Sequence, residues 1–147
     1  MFKNILLPTD GSDFSHRAIA RGVELAASVG ARVTAYFAAP PATPIVYRNH
    51  FPVGYAPPDE HQRMIDDAIA KALGFVENAA KTAGVACECV HSTSDFPDDE
   101  ILKVATKHNC DLIVMASHGH GKLGDLIYGE TIERVRHAVP VPLLVVQ

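Results

Sequence analysis

The stretch DLIVMASHGHGKLGDLIYGETIERV, residues 111–135, decides the fold. It opens on an apolar run over residues 112–116, breaks at Ser117-His118-Gly119-His120-Gly121, and returns to helical spacing from about Leu126. That succession is strand, glycine loop, helix. A buried strand that ends in glycines opening a helix gathers several backbone N–H groups and the positive end of a helix dipole around one point, which suits an anion such as phosphate. Glycines after a strand serve tight turns more often than phosphates. The stretch also lacks the Gly-Lys-Ser/Thr of a Walker loop, and it is not a Gly-x-Gly-x-x-Gly following the first strand.

Working outward, Lys3-Asn-Ile-Leu-Leu-Pro8 reads as a first strand buried on both faces, with Pro8 at its end, where a proline interrupts no interior ladder. Ser12 is placed to cap a helix over residues 12–29, whose apolar positions Ala18, Ile19, Val23, Leu25 and Ala26 recur at helical spacing until Gly30 stops it. Residues 31–38 are β-branched and aromatic and complete a βαβ unit. Between residues 40 and 58, six prolines lie among Tyr47, Arg48, Phe51 and Tyr55 with no usable period, so this segment reads as a loop beside the second strand's carboxyl end, either a lid or a mobile excursion.

Helical spacing returns over residues 59–83, with Met64, Ile65, Ala68, Ile69, Ala72, Leu73, Val76 and Ala79 on one stripe and Gly84 as the stop. A third strand follows at residues 85–91 and a short helix at 100–108, with Pro97 near its first turn. The fourth strand covers residues 111–116, the helix after the glycine loop runs to about His137, and Val141-Pro-Leu-Leu-Val-Val146 is the last strand. Strands alternating with helices indicate α/β architecture, an open doubly wound parallel sheet with helices on both faces. An order of 3-2-1-4-5 would set the loops after strands one and four across one crevice at the switch point, where ligands of such sheets bind.

Composition bounds the function. A chain of 147 residues with 48% hydrophobic content can bury its own core, so residues 1–147 are expected to form one domain. The net charge of −4 without a basic block attracts neither nucleic acid nor an anionic membrane. No stretch approaches the ~20 apolar residues of a membrane span and no signal peptide is visible, so the expected location is the cytoplasm. Cys87, Cys89 and Cys110 read as reduced structural thiols, the first two on one face of a strand. His118 and His120, with Asp125 and His137 nearby, do not have the spacing of a helical metal pair, so no metal site is assigned to the protein itself. No set of nucleophile, base and orienting group is visible, and the expectation is no enzyme, or at most slow ATP hydrolysis.

The loops Pro8-Thr9-Asp10 and Ala116-Ser117-His118-Gly119 together resemble the universal stress protein family, and the likeness extends from Lys3-Asn-Ile-Leu-Leu-Pro-Thr-Asp-Gly-Ser12 to Val139-Pro-Val-Pro-Leu-Leu-Val-Val146. The resemblance implies the fold above, with five parallel strands, in a small stress-response protein that binds ATP or AMP between strands one and four and works as a signalling homodimer paired through residues 141–146. ATP-binding members carry Gly-x2-Gly-x9-Gly-Ser/Thr after the fourth strand; here those positions are Ala116, Gly119, Gly129 and Glu130, so two of the four match. Carried over by position, adenosine would meet Pro8, Thr9, Asp10, Ala38, Met115, Ala116 and His118, with Gly119, Gly129, Glu130 and Thr131 around the phosphates and Lys122 as the nearest cation. Glu130 puts a carboxylate where relatives offer a hydroxyl, so Mg²⁺ or Mn²⁺ is expected to accompany the nucleotide. Asp10 has two roles open, contact with the nucleoside and capping of the first helix with Ser12, and both can hold at once. Two other readings stand beside this one: the same fold as a dimeric stress protein without nucleotide, and a small hydrolase or nucleotidyltransferase.

Overall fold

Residues 1–39, 45–48, 51–55, 58–93, 97–117 and 141–147 are described by the computed structural model. Strand β1 (Asn4–Pro8) is buried along its whole length. It leads into helix α1 (Asp13–Val29), with Ser12 as N-cap; the Ser12 side chain accepts from the Ser15 N–H at 3.2 Å. Gly30 ends α1 in the left-handed region at φ 72°, where its N–H closes onto the Ala26 carbonyl, a conformation that favours glycine. Strand β2 (Arg32–Ala39) lies parallel to β1, with Asn4 opposite Arg32 and Pro8 opposite Tyr36.

The segment at residues 40–58, read above as a loop, contains an antiparallel hairpin of β3 (Ile45–Arg48) and β4 (Phe51–Tyr55), with a register shift between Val46 and Tyr47. The prolines disguised it. A two-stranded ribbon has no central strand, so Pro52 can sit in β4 without breaking an interior ladder, and the bulge erases the alternation that marks a strand.

Helix α2 (Pro58–Thr82), strand β5 (Cys87–Thr93), helix α3 (Pro97–Lys107), strand β6 (Leu112–Ala116) and strand β7 (Leu143–Val146) follow. Helix α3 begins three residues before the expected start because Pro97 takes the first helical position. Strand β5 starts two residues later than expected and β7 two residues later. The helix expected to run to His137 lies outside the described residues.

The five long-range strands form one parallel sheet in the order β5-β2-β1-β6-β7, which is the expected 3-2-1-4-5 once the hairpin strands are set aside. Side chains alternate across it. Ile5, Leu7, Val33, Ala35 and Val114 pack with Ile19 and Val23 of α1 and with Ile69, Leu73 and Val76 of α2. Leu6, Tyr36, Ile113 and Met115 pack on the other face with Ile101, Val104 and Ala105 of α3. Helices therefore cover both faces, which is why β1 and β6 read as unbroken apolar runs.

The amino end of the central pair is tied by polar groups. Asp111 accepts from the Lys3 and Asn4 N–H groups at 2.8 and 3.1 Å. Buried Asn4 donates to the His108 carbonyl at 2.9 Å and accepts from the Thr34 hydroxyl at 3.0 Å. The carboxyl ends are thereby left to the loops that build the site.

Candidate functional site

At the carboxyl end of β1 the Thr9 N–H continues the ladder to the Tyr36 carbonyl at 2.9 Å. The chain then turns within three residues. Gly11, at φ 81°, donates its N–H to the Thr9 hydroxyl at 3.0 Å. The Asp10 carboxylate accepts from the Ser12 N–H at 2.9 Å and the Ser15 hydroxyl at 2.7 Å. Of the two roles open to Asp10, the capping role is thus observed. The bonds hold the turn in one shape, and α1 starts directly beyond it with the positive end of its dipole toward the switch point.

On the neighbouring strand, Met115 and Ala116 are buried, and the Ser117 N–H donates to the Val146 carbonyl at 3.0 Å. The sequence places Ser117 in the crevice loop without assigning it a contact with the ligand. Its Oγ is buried and has no hydrogen-bond partner among the described residues. A buried hydroxyl without a partner loses about 1–3 kcal/mol, so an acceptor or donor at that place has something to gain.

Strand parity sorts the expected site residues. Met115 and Ala38 belong to the α3 side of the sheet with Leu6 and Tyr36. Pro8, two residues after Leu6 on β1, shares that side. Thr9 and Asp10 stand in the turn above them. The structure therefore brings Pro8, Thr9, Asp10, Met115 and Ala116 to the carboxyl ends of the adjacent strands β1 and β6, with Ala38 at the end of β2. His118, Gly119, Lys122, Gly129, Glu130 and Thr131 lie outside the described residues.

A polar chain beside Ala38 escaped the sequence. The Tyr36 hydroxyl and Ser92 Oγ lie 2.6 Å apart, and Ser92 Oγ donates to Glu100 Oε2 at 3.4 Å. Ser92 faces Ala38 in the β2–β5 register. Nothing in the spacing of Tyr36, Ser92 and Glu100 signals that they meet, because each comes from a different element.

A groove of about 670 Å³ opens elsewhere, between α1 and α2, lined by Ala20, Val23, Ala27, Phe75 and Ala79 among others. Its walls are mostly apolar, with Glu24, Asn78 and Thr82 as polar members, and it is built from helix faces rather than strand ends, away from the switch point where ligands of such sheets bind. Among the described residues no three His, Cys, Asp or Glu side chains are grouped to hold a metal ion. None of the described helices is long and apolar enough to cross a membrane.

Residues 1–147 match the model of the universal stress protein family. A universal stress protein of Thermus aquaticus is 30% identical over 147 residues, covering all of both chains. Among solved structures, a universal stress protein in complex with cAMP superposes with a TM-score of 0.71 at 24% identity, covering 99% of this chain and 97% of that one. A universal stress protein of Archaeoglobus fulgidus in complex with dAMP gives a TM-score of 0.62 at 14% identity, covering 100% and 98%. At those identities the two structures establish a shared fold.

Proposed function

Since the chain belongs to the universal stress protein family, we propose that it is a cytoplasmic stress-signalling protein that binds an adenine nucleotide, ATP or AMP, where β1 and β6 end side by side. The observation that carries the reading is the convergence at that point of a hydrogen-bonded β1–α1 turn, the amino end of α1, and the buried Ser117 hydroxyl, which has no partner among the described residues. Related folds in complex with cAMP and dAMP support it. In this reading Pro8, Thr9, Asp10, Ala38, Met115, Ala116 and His118 surround the nucleoside, and Gly119, Gly129, Glu130 and Thr131 surround the phosphates. The whole chain acts as one domain and pairs with a second copy through β7.

Glu130 sets the ligand's character. Two unit charges about 4 Å apart at an effective dielectric of 20 repel by about 4 kcal/mol. Helix-dipole attraction of ~0.3–1 kcal/mol does not offset that. ATP should accordingly bind weakly without metal and more tightly with Mg²⁺ or Mn²⁺, while adenosine feels little difference. Replacing Glu130 with Ser is expected to tighten ATP at least about tenfold in the presence of a chelator, a modest share of the repulsion just estimated. Calorimetric titration of ATP and adenosine against both proteins checks this. Unchanged ATP affinity in Glu130→Ser would favour the second reading, a dimeric stress protein of the same fold without nucleotide. That reading draws on the Asp10 carboxylate's being engaged in capping α1.

A further inference from the structure

Three side chains from three elements meet near the carboxyl end of β5. The Tyr36 hydroxyl of β2 and Ser92 Oγ of β5 lie 2.6 Å apart, and Ser92 Oγ donates to Glu100 Oε2 of α3 at 3.4 Å. A serine hydroxyl has one proton to give. With that proton on Glu100, the neutral Tyr36 phenol donates to Ser92, so the chain runs one way, from a phenol buried in the core to a carboxylate. Its last member can only accept.

Glu100 has acceptor capacity left. Lys103, itself exposed, donates to Oε1 at 3.3 Å, so the bonds from Lys103 and Ser92 fall on different oxygens. The Glu100 side chain keeps 22% of its surface open. Each carboxylate oxygen offers about two lone-pair sites, and Oε2, which takes the long bond from Ser92, has room for a second donor. An N–H placed there is attracted, and a carbonyl oxygen is repelled.

Position ties this acceptor to the site. Ser92 is opposite Ala38 in the β2–β5 register, so the two side chains stand side by side on the α3 face of the sheet. In the function proposed above, Ala38 touches the nucleoside and the phosphates lie beyond β6. The order β5-β2-β1-β6-β7 separates β6 from β2 by one strand, about 10 Å at ordinary strand spacing, with β5 one step further out. A nucleotide laid along that line has its ribose in the middle and its base toward β5. The Glu100 charge favours the same direction, because it repels phosphate.

We propose that Glu100 is a specificity-determining residue of this site: Oε2 accepts from the exocyclic amino group of adenine and rejects purines that carry an oxo group at that position. The proposal rests on the nucleotide-binding function above and adds the selection of the base. Ser92 and, behind it, Tyr36 are positioning residues that hold the carboxylate at the base's edge.

The test is calorimetric titration of the full-length protein with three nucleosides, which leave the charge of Glu130 out of the comparison. They are adenosine, inosine with an oxo group in place of the amine, and purine riboside with neither. The wild type is expected to bind adenosine about tenfold or more tightly than the other two, as a hydrogen bond to a charged group provides. Glu100→Gln keeps the shape, and its amide can turn either an acceptor or a donor to the base, so adenosine and inosine should bind it about equally. Ser92→Ala should narrow the preference and Ser92→Thr restore it; a full preference in Ser92→Ala would overturn the positioning role. Equal affinity of the wild type for adenosine and purine riboside overturns the proposal while nucleoside binding stands, and it is read on the unmodified protein, so a variant that fails to fold does not affect it. An unchanged preference in Glu100→Gln overturns it as well. A wild type that binds none of the three at millimolar concentration overturns both the proposal and the nucleotide-binding function beneath it.

Discussion

Tyr36 shows how one side chain ties fold to solution behaviour. Its ring is 1% exposed, and its hydroxyl meets Ser92 at 2.6 Å. Burial raises the phenol above its ordinary 10.0; the hydrogen bond with Ser92 pulls it partly back, and the charge of Glu100 adds to the rise. An acid whose folded-state pKa lies above its unfolded value contributes stability that is complete below the unfolded value and is lost as pH rises through the folded one. Urea midpoints should therefore fall as pH climbs past about 10, and Tyr36→Phe should fall less steeply over the same range because phenylalanine cannot ionise. At neutral pH the variant should be about 1 kcal/mol less stable through the lost hydrogen bond. Parallel pH curves for the two proteins would show that Tyr36 does not control the alkaline limb. The residue also marks a limit of reading from sequence. The Ser12 cap and the Gly30 stop follow local rules and were legible, whereas the meeting of Tyr36, Ser92 and Glu100 depends on how β2, β5 and α3 are assembled.

At the scale of elements, α1 and β1 approach closely at Gly22. A methyl group added at Gly22 would come within 2.4 Å of Leu7 Cδ2, so the fully buried Leu7 side chain would have to shift within the core. Alanine at a helix interior normally gains about 1 kcal/mol over glycine. Here overpacking of about 1–3 kcal/mol opposes that gain, so Gly22→Ala should be neutral to destabilising by up to about 2 kcal/mol in urea unfolding. A clear stabilisation would mean that α1 can slide on the sheet. The parallel strands were legible because burial on both faces leaves continuous apolar runs, and the helices because their stripes are long. The β3–β4 hairpin was not legible, since prolines and a bulge remove the period-two signal on which strand reading relies. For the site, the strand-end residues could be read from position alone. Ser117 was placed in the loop but given no contact, because a serine beside glycines looks like turn chemistry until its burial is seen.

At the scale of the whole molecule, β7 closes one end of the sheet and presents Leu144 at 44% exposure. An exposed apolar edge strand invites pairing, and a second copy is the partner proposed above. The protein should sediment as a dimer at micromolar concentration, and Leu144→Lys should shift it toward monomer without altering the circular dichroism of the subunit. A wild-type monomer under those conditions would refute the pairing. The strand order has another bearing, on how the chain is made. β1 can pair with β2 once about forty residues exist, yet its opposite flank waits for Leu112 and Ile113. At 5–20 residues per second that interval is on the order of ten seconds. Throughout it, the nascent polypeptide carries a strand destined for full burial with one side open, and a ribosome-associated chaperone has that long to find it.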